Sequence, residues 1–93
     1  MDRLIQVTDQ QAIFDAIKRE RDYQDEKWGS PLVNPHEIPA WLMIMRRELN
    51  EAMDEWTRRK GKTANQEALK EILQVIAVGV ACLEQHGVIE RDD

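Results

Sequence analysis

The chain is short of several things, and each shortage excludes something. Among its 93 residues there is one cysteine, Cys82, so neither an intrachain disulfide nor a cysteine-based zinc site can form within it. Cys82 lies inside an apolar run and reads as a small buried hydrophobe. Positive charge is scarce: 13 Lys and Arg stand against 18 Asp and Glu, a net charge of −5. Binding to a nucleic-acid polymer rests on phosphate neutralisation by Lys and Arg, so no such partner is expected. A nucleotide whose charge is carried by a metal ion is not excluded. The longest apolar run, Ile72 to Leu83, is interrupted by Gln74 and falls short of the roughly 20 residues that span a bilayer, so no membrane partner is expected. Residues 1–10 have no basic stretch followed by an apolar core, which reads as no signal peptide and makes a cytoplasmic, reducing setting the expectation.

What is present is ordinary globular usage, 42% hydrophobic and 33% charged, in a length that allows one domain over residues 1–93. A chain of this size buries roughly 65% of its unfolded surface, which gives only modest stability to a monomer.

The periodicity predicts three helices and almost no strand. The first, over residues 8–27, opens at Thr8, whose hydroxyl can cap it, with Gln11 in capping-box register. It carries a sparse apolar face of Ile13, Phe14, Ala16 and Ile17 and ends before the turn residues Gly29, Ser30 and Pro31. The second, over 37–60, has Ile38, Trp41, Leu42, Met45, Leu49, Ala52, Met53 and Trp56 at spacings of three and four, which place them on one arc. Arg58, Arg59 and Lys60 suit a helix C-terminus, and Gly61 suits a left-handed cap. The third, over 64–86, starts near Thr63, with Gln66 in capping-box register, and stops at Gly87. Between Ile72 and Leu83 it is apolar on nearly every side and must be surrounded. Two short helices cannot easily cover it, so the expected architecture is all-α: an antiparallel helical bundle completed by oligomerisation, as a homodimer or homotetramer.

Carboxylates interrupt this pattern in two places. Glu48 and Glu51, three residues apart, project from nearly the same side of the second helix, beside the apolar arc rather than opposite it. On the third helix Glu67, Glu71 and Gln74 form the polar stripe. If the two helices are antiparallel neighbours, Glu48 and Glu51 face Glu71 and Gln74. Grouped carboxylates repel unless protons or a cation offset them. Oxygen ligands from two facing helices are what magnesium requires. Glu55 and Glu67 read instead as solvated charges, Glu55 pairing with Arg59.

The pair Glu48-Leu49-Asn50-Glu51, followed after nineteen intervening residues by Glu71-Ile72-Leu73-Gln74, resembles the ExxE…ExxD signature of MazG-like nucleotide pyrophosphohydrolases, of the all-α NTP pyrophosphatase superfamily. The segment Glu20-Arg21-Asp22-Tyr23-Gln24-Asp25-Glu26-Lys27-Trp28-Gly29 and the Trp41-Leu42 stretch are similar to small bacterial and phage members. The resemblance covers residues 14–86. It implies a Mg²⁺-dependent enzyme, with Mn²⁺ as the alternative ion, that cleaves a nucleoside or deoxynucleoside triphosphate between the α and β phosphates. It implies Glu48, Glu51, Glu71 and Gln74 as metal ligands. Glu48 is the carboxylate singled out to take a proton from water. Two positions depart from the pattern. Gln74 stands where the family has Asp and brings no charge, and Arg47 stands where the family often has Glu. Arg47 reads either as solvated or as a phosphate contact.

Substrate contacts are expected from Trp28, stacking on a base; Gln24, bonding a base edge; and Lys27, meeting a phosphate. Trp41 and Trp56 read as core or interface, His36 as a loop or capping residue, and His86 as structural. The departures at Arg47 and Gln74 support a second function, a non-catalytic helical oligomer that senses a nucleotide or binds a protein. A helix-turn-helix regulator fits poorly, because no basic recognition helix is present.

Overall fold

The computed structural model describes residues 9–58 and 61–92. Three helices and no strand occur among them: α1 (Gln10–Trp28), α2 (Ile38–Arg58) and α3 (Lys62–His86). The Thr8 cap, the basic residues Arg59 and Lys60 and the Glu55–Arg59 pair rest on residues outside this range. Within it, Asp9 caps α1, its carboxylate accepting a hydrogen bond from the Gln11 N–H at 2.9 Å. Glu55 pairs with Arg58, one turn away. None of the described helices is long and apolar enough to cross a membrane.

Helix ends follow the glycines. Gly29 and Gly87 adopt φ 86° and 100°, and each donates its N–H to a carbonyl four residues back, Asp25 and Leu83, at 2.8 Å. Gly61, at φ 71°, separates α2 from α3. The third helix starts at Lys62, so Thr63 lies in its first turn instead of capping it; Gly61 occupies the cap position without a side-chain hydrogen bond.

Two side-chain bonds give the sense of packing. Trp41, near the start of α2, donates its indole N–H to Gln85 at the end of α3 (2.9 Å), while Trp56 near the end of α2 donates to Asn65 at the start of α3 (3.0 Å). The two helices are therefore antiparallel. Their seam is built from small residues and one large one: Trp41, Val78 and Ala81 pack together with Ile44, Met45 and Cys82 around them. Ala52, Ala64 and Ala77 are also buried. Small side chains let the backbones approach closely; a Cβ added at Gly79 would sit 3.3 Å from the Met45 methyl.

The helix α1 packs on α3 alone, with no Cα within 8 Å of α2. Its hold is largely polar. Arg21 is buried, and its guanidinium meets Glu84 with two bonds (2.7 and 3.0 Å) and Asp25 with one (2.7 Å). Much of the apolar surface stays uncovered in one chain: Phe14, Leu42, Met53 and Trp56 are each more than half exposed, and among the described residues no large side chain is fully buried.

Candidate functional site

The α2–α3 hairpin brings one acidic group together. Each of Glu48, Glu51 and Glu71 offers a carboxylate oxygen within 4.8 Å of those of the other two. The cause is local. Three residues on a helix return to nearly the same face, and the antiparallel seam sets that face of α2 against the polar stripe of α3. Glu48 and Glu71 are half-buried at the edge of the apolar seam, and Glu51 is exposed.

The electrostatics of this group are unfavourable as it stands. Burial pushes the Glu48 carboxyl above its ordinary range, the charges of Glu51 and Glu71 push it further, and Arg47 opposes them. Burial also raises Glu71, reinforced by Glu51, Glu55 and Glu67 and opposed by Lys70. One Glu71 oxygen, Oε2, is buried without a hydrogen-bond partner. A buried acceptor left unpaired costs about 1–3 kcal/mol, so it calls for a proton or a cation. Three oxygen donors with one orphaned lone pair fit a hard divalent ion such as magnesium, which needs one or two carboxylates and keeps water for its other positions.

Beside this group lies a cavity of about 250 Å³ between the three helices and the loop after α1. Its lining is part apolar and aromatic, with Trp28, Pro31, Trp41, Ile44, Val78 and Ala81, and part polar, with Glu48, Gln74 and Arg47 beside Arg21, Gln24 and Asp25. Glu48 thus belongs to both the acidic group and the cavity wall. Gln74 lines the cavity but is not one of the three clustered carboxylates.

The residues expected to meet a substrate fall in different places. Trp28 closes α1 and lines the cavity half-exposed, so its ring is available for stacking. Gln24 also lines the cavity but is buried and engaged: its amide donates to the Gln74 carbonyl at 3.3 Å and accepts from Arg21 at 3.2 Å. Lys27 is not among the cavity-lining residues; its ammonium lies over the Trp28 ring, 4.8 Å from the centroid. There it holds the ring by a cation–π contact. Trp41 is a core residue, with its indole edge-on to the His36 ring.

Three participants carried no sequence signal strong enough to single them out. Glu20 of α1 is raised in pKa by burial and by the charge of Glu48, so it lies within electrostatic reach of the acidic group. Its place one turn before Gln24, on the same face, was the available hint. Arg21 anchors the cavity wall from below. Gln85 ties down the loop: its amide oxygen accepts from the His36 N–H (3.0 Å) and the Trp41 indole, and its amide nitrogen donates to the His36 carbonyl (2.8 Å). His86 reaches the same carbonyl at 2.8 Å. Compared with known proteins, the chain matches no family model, no curated protein and no solved structure.

Proposed function

We propose that the chain is a Mg²⁺-dependent nucleotide pyrophosphohydrolase, in which water adds across the α–β phosphoanhydride of a nucleoside triphosphate to give monophosphate and pyrophosphate. One observation carries the reading: Glu48, Glu51 and Glu71 converge from two helices, with an unpartnered buried oxygen on Glu71, at the edge of an aromatic-walled cavity. The ordered spacing of these residues resembles the MazG-like signature and supports the same chemistry. Glu48, Glu51 and Glu71 would hold the ion, with the Gln74 carboxamide oxygen near at hand on the cavity wall. A bound magnesium ion supplies charge neutralisation for phosphate oxygens and a more acidic water.

The chain's own residues do the rest. Trp28 offers a ring face to a base, and Trp41, Ile44 and Val78 form an apolar floor that excludes water. Glu48, whose carboxyl burial and the charges of Glu51 and Glu71 raise above its ordinary range, is shared between acidic group and cavity and is placed to take the proton from water. The uncovered apolar residues of all three helices support assembly with further copies of the chain, as a dimer or tetramer, which sedimentation measures directly.

The test is incubation of the pure protein with Mg²⁺ and a panel of ribo- and deoxynucleoside triphosphates, with chromatographic separation of products. The reading requires monophosphate and pyrophosphate in equal amounts. Diphosphate and orthophosphate would overturn the bond assignment. Nucleotide binding with no product across the panel would favour the second reading, a non-catalytic nucleotide sensor, for which the uncharged Gln74 is the supporting feature.

A further inference from the structure

The cavity wall carries two arginines, and they differ in one respect. Arg21 is buried, with its guanidinium committed to Glu84, Asp25 and Gln24. Arg47 is exposed and makes no hydrogen bond or ion pair with the described residues, although carboxylates lie close by. It lines the cavity with its chain neighbour Glu48, in a wall that is part charged and part aromatic. A ligand with a flat apolar group and an anionic tail matches that polarity: the ring against Trp28 and Trp41, the tail toward Arg47 and the acidic group.

We infer that Arg47 is a phosphate-binding residue, whose guanidinium takes the phosphate chain of the nucleotide in this cavity. The inference rests on the proposed function and adds a residue to it. A guanidinium presents its N–H donors in a planar fork that matches two phosphate oxygens, and a free one needs no partner broken before it binds.

The experiment measures two affinities on wild type, R47A and R47K: Mg²⁺ alone, and inorganic tripolyphosphate at saturating Mg²⁺, a probe that does not depend on the base. Arg47→Ala should weaken tripolyphosphate binding about tenfold, the size of one charge-assisted hydrogen bond. The same variant should bind Mg²⁺ about twofold more tightly, because a like charge beside the cation has gone. Arg47→Lys should recover part of the tripolyphosphate affinity. Opposite shifts in the two affinities are not produced by a general loss of structure. Tripolyphosphate binding within twofold of wild type in R47A, or both affinities falling together, would overturn the assignment of Arg47 alone. Wild type that binds no Mg²⁺ would overturn the metal-centre reading and this one with it.

Discussion

Two contacts hold this small protein together, and they are built on opposite principles. The α2–α3 hairpin is an apolar seam of alanines, Val78 and one buried tryptophan, close enough for Gly79 to meet Met45. The α1–α3 contact centres on a buried arginine that bonds across to the exposed Glu84 and along its own helix to Asp25, and no apolar residue of α1 is buried. The hairpin sets the positions of Glu48, Glu51 and Glu71. The arm, α1, supplies Gln24 and Trp28 to the cavity. Close packing transmits position to a fraction of an ångström, whereas an ion pair with solvated partners is more easily rearranged. On the proposed reading, a metal centre on the hairpin and a base platform on the arm would divide a rigid part from an adjustable one.

The largest effect should come from the hairpin's carboxylates. Changes to groups that merely orient a metal's ligands cost about 10–100-fold, so Glu51→Gln or Glu71→Gln, which removes a ligand charge itself, should lower turnover by about 100-fold or more. Circular dichroism should show helicity retained. In the absence of metal the same variants should melt at a higher temperature than wild type, because the mutual repulsion that adds to burial in raising Glu48 and Glu71 is relieved. Lower turnover without the gain in melting temperature would mean that the three carboxylates are not under electrostatic tension.

Next in size is the arm. Arg21→Ala leaves Gln24, Asp25 and Glu84 without their shared partner and opens space beneath the cavity. It should destabilise the protein by about 2 kcal/mol, a fall in Tm of about 10 °C. Hydrogen exchange in this variant should speed up in α1 and change little in α2. Equal loosening of both helices would erase the distinction drawn between the two contacts.

The pH dependence sharpens the comparison, because the two contacts respond with opposite sign. The bonds from Arg21 hold the Glu84 carboxyl below its ordinary 4.5, so it stabilises the folded state above that value and the contribution is lost as pH falls through its lowered pKa. Glu48 and Glu71 are raised above 4.5, so their ionisation opposes folding: stability declines as pH rises from 4.5 through their raised values. Metal-free protein should thus gain stability on mild acidification from neutral pH and lose it below 4.5. Glu71→Gln should reduce the first limb and Glu84→Gln the second. A melting temperature that is flat above pH 4.5 would contradict the account of the hairpin.

The smallest effect is at the seam itself. Gly79→Ala gains helix propensity of about 1 kcal/mol but presses on the flexible end of Met45, so the net change should be a stabilisation of about 0.5 kcal/mol or less. A loss of more than about 1 kcal/mol, read by chemical denaturation, would show that the seam is too tight to yield.

These contrasts also explain what was readable from residue order. The acidic group was legible because it depends on helical periodicity: residues 48 and 51 must share a face, and an apolar stripe on each helix forces the two faces together. The helix ends at Gly29, Gly61 and Gly87 were legible because glycine tolerates positive φ at little cost. The start of α3 was less so, since a threonine in capping-box register is one local preference among several, and the turn at Gly61 brought the helix in two residues earlier. The arm was the least legible. A buried arginine has no periodic signature, and its partner Glu84 lies 63 residues away. The Gln85 clasp on the His36 loop and the approach of Glu20 to Glu48 depend in the same way on where α1 and the loop lie across α3. Sequence pattern reports faces of single helices, and these features arise only when three are assembled.

On the proposed reading, Glu48, Glu51 and Glu71 act together as a divalent-cation site. Titration of Mn²⁺ into isotope-labelled protein, read by paramagnetic broadening of backbone amides, tests it most directly. Broadening should appear first around residues 48, 51 and 71, extend to residue 20, and reverse on addition of Mg²⁺. Broadening that begins instead at the solvated carboxylates of α1, such as Asp15 and Asp22, or that Mg²⁺ does not displace, would contradict it.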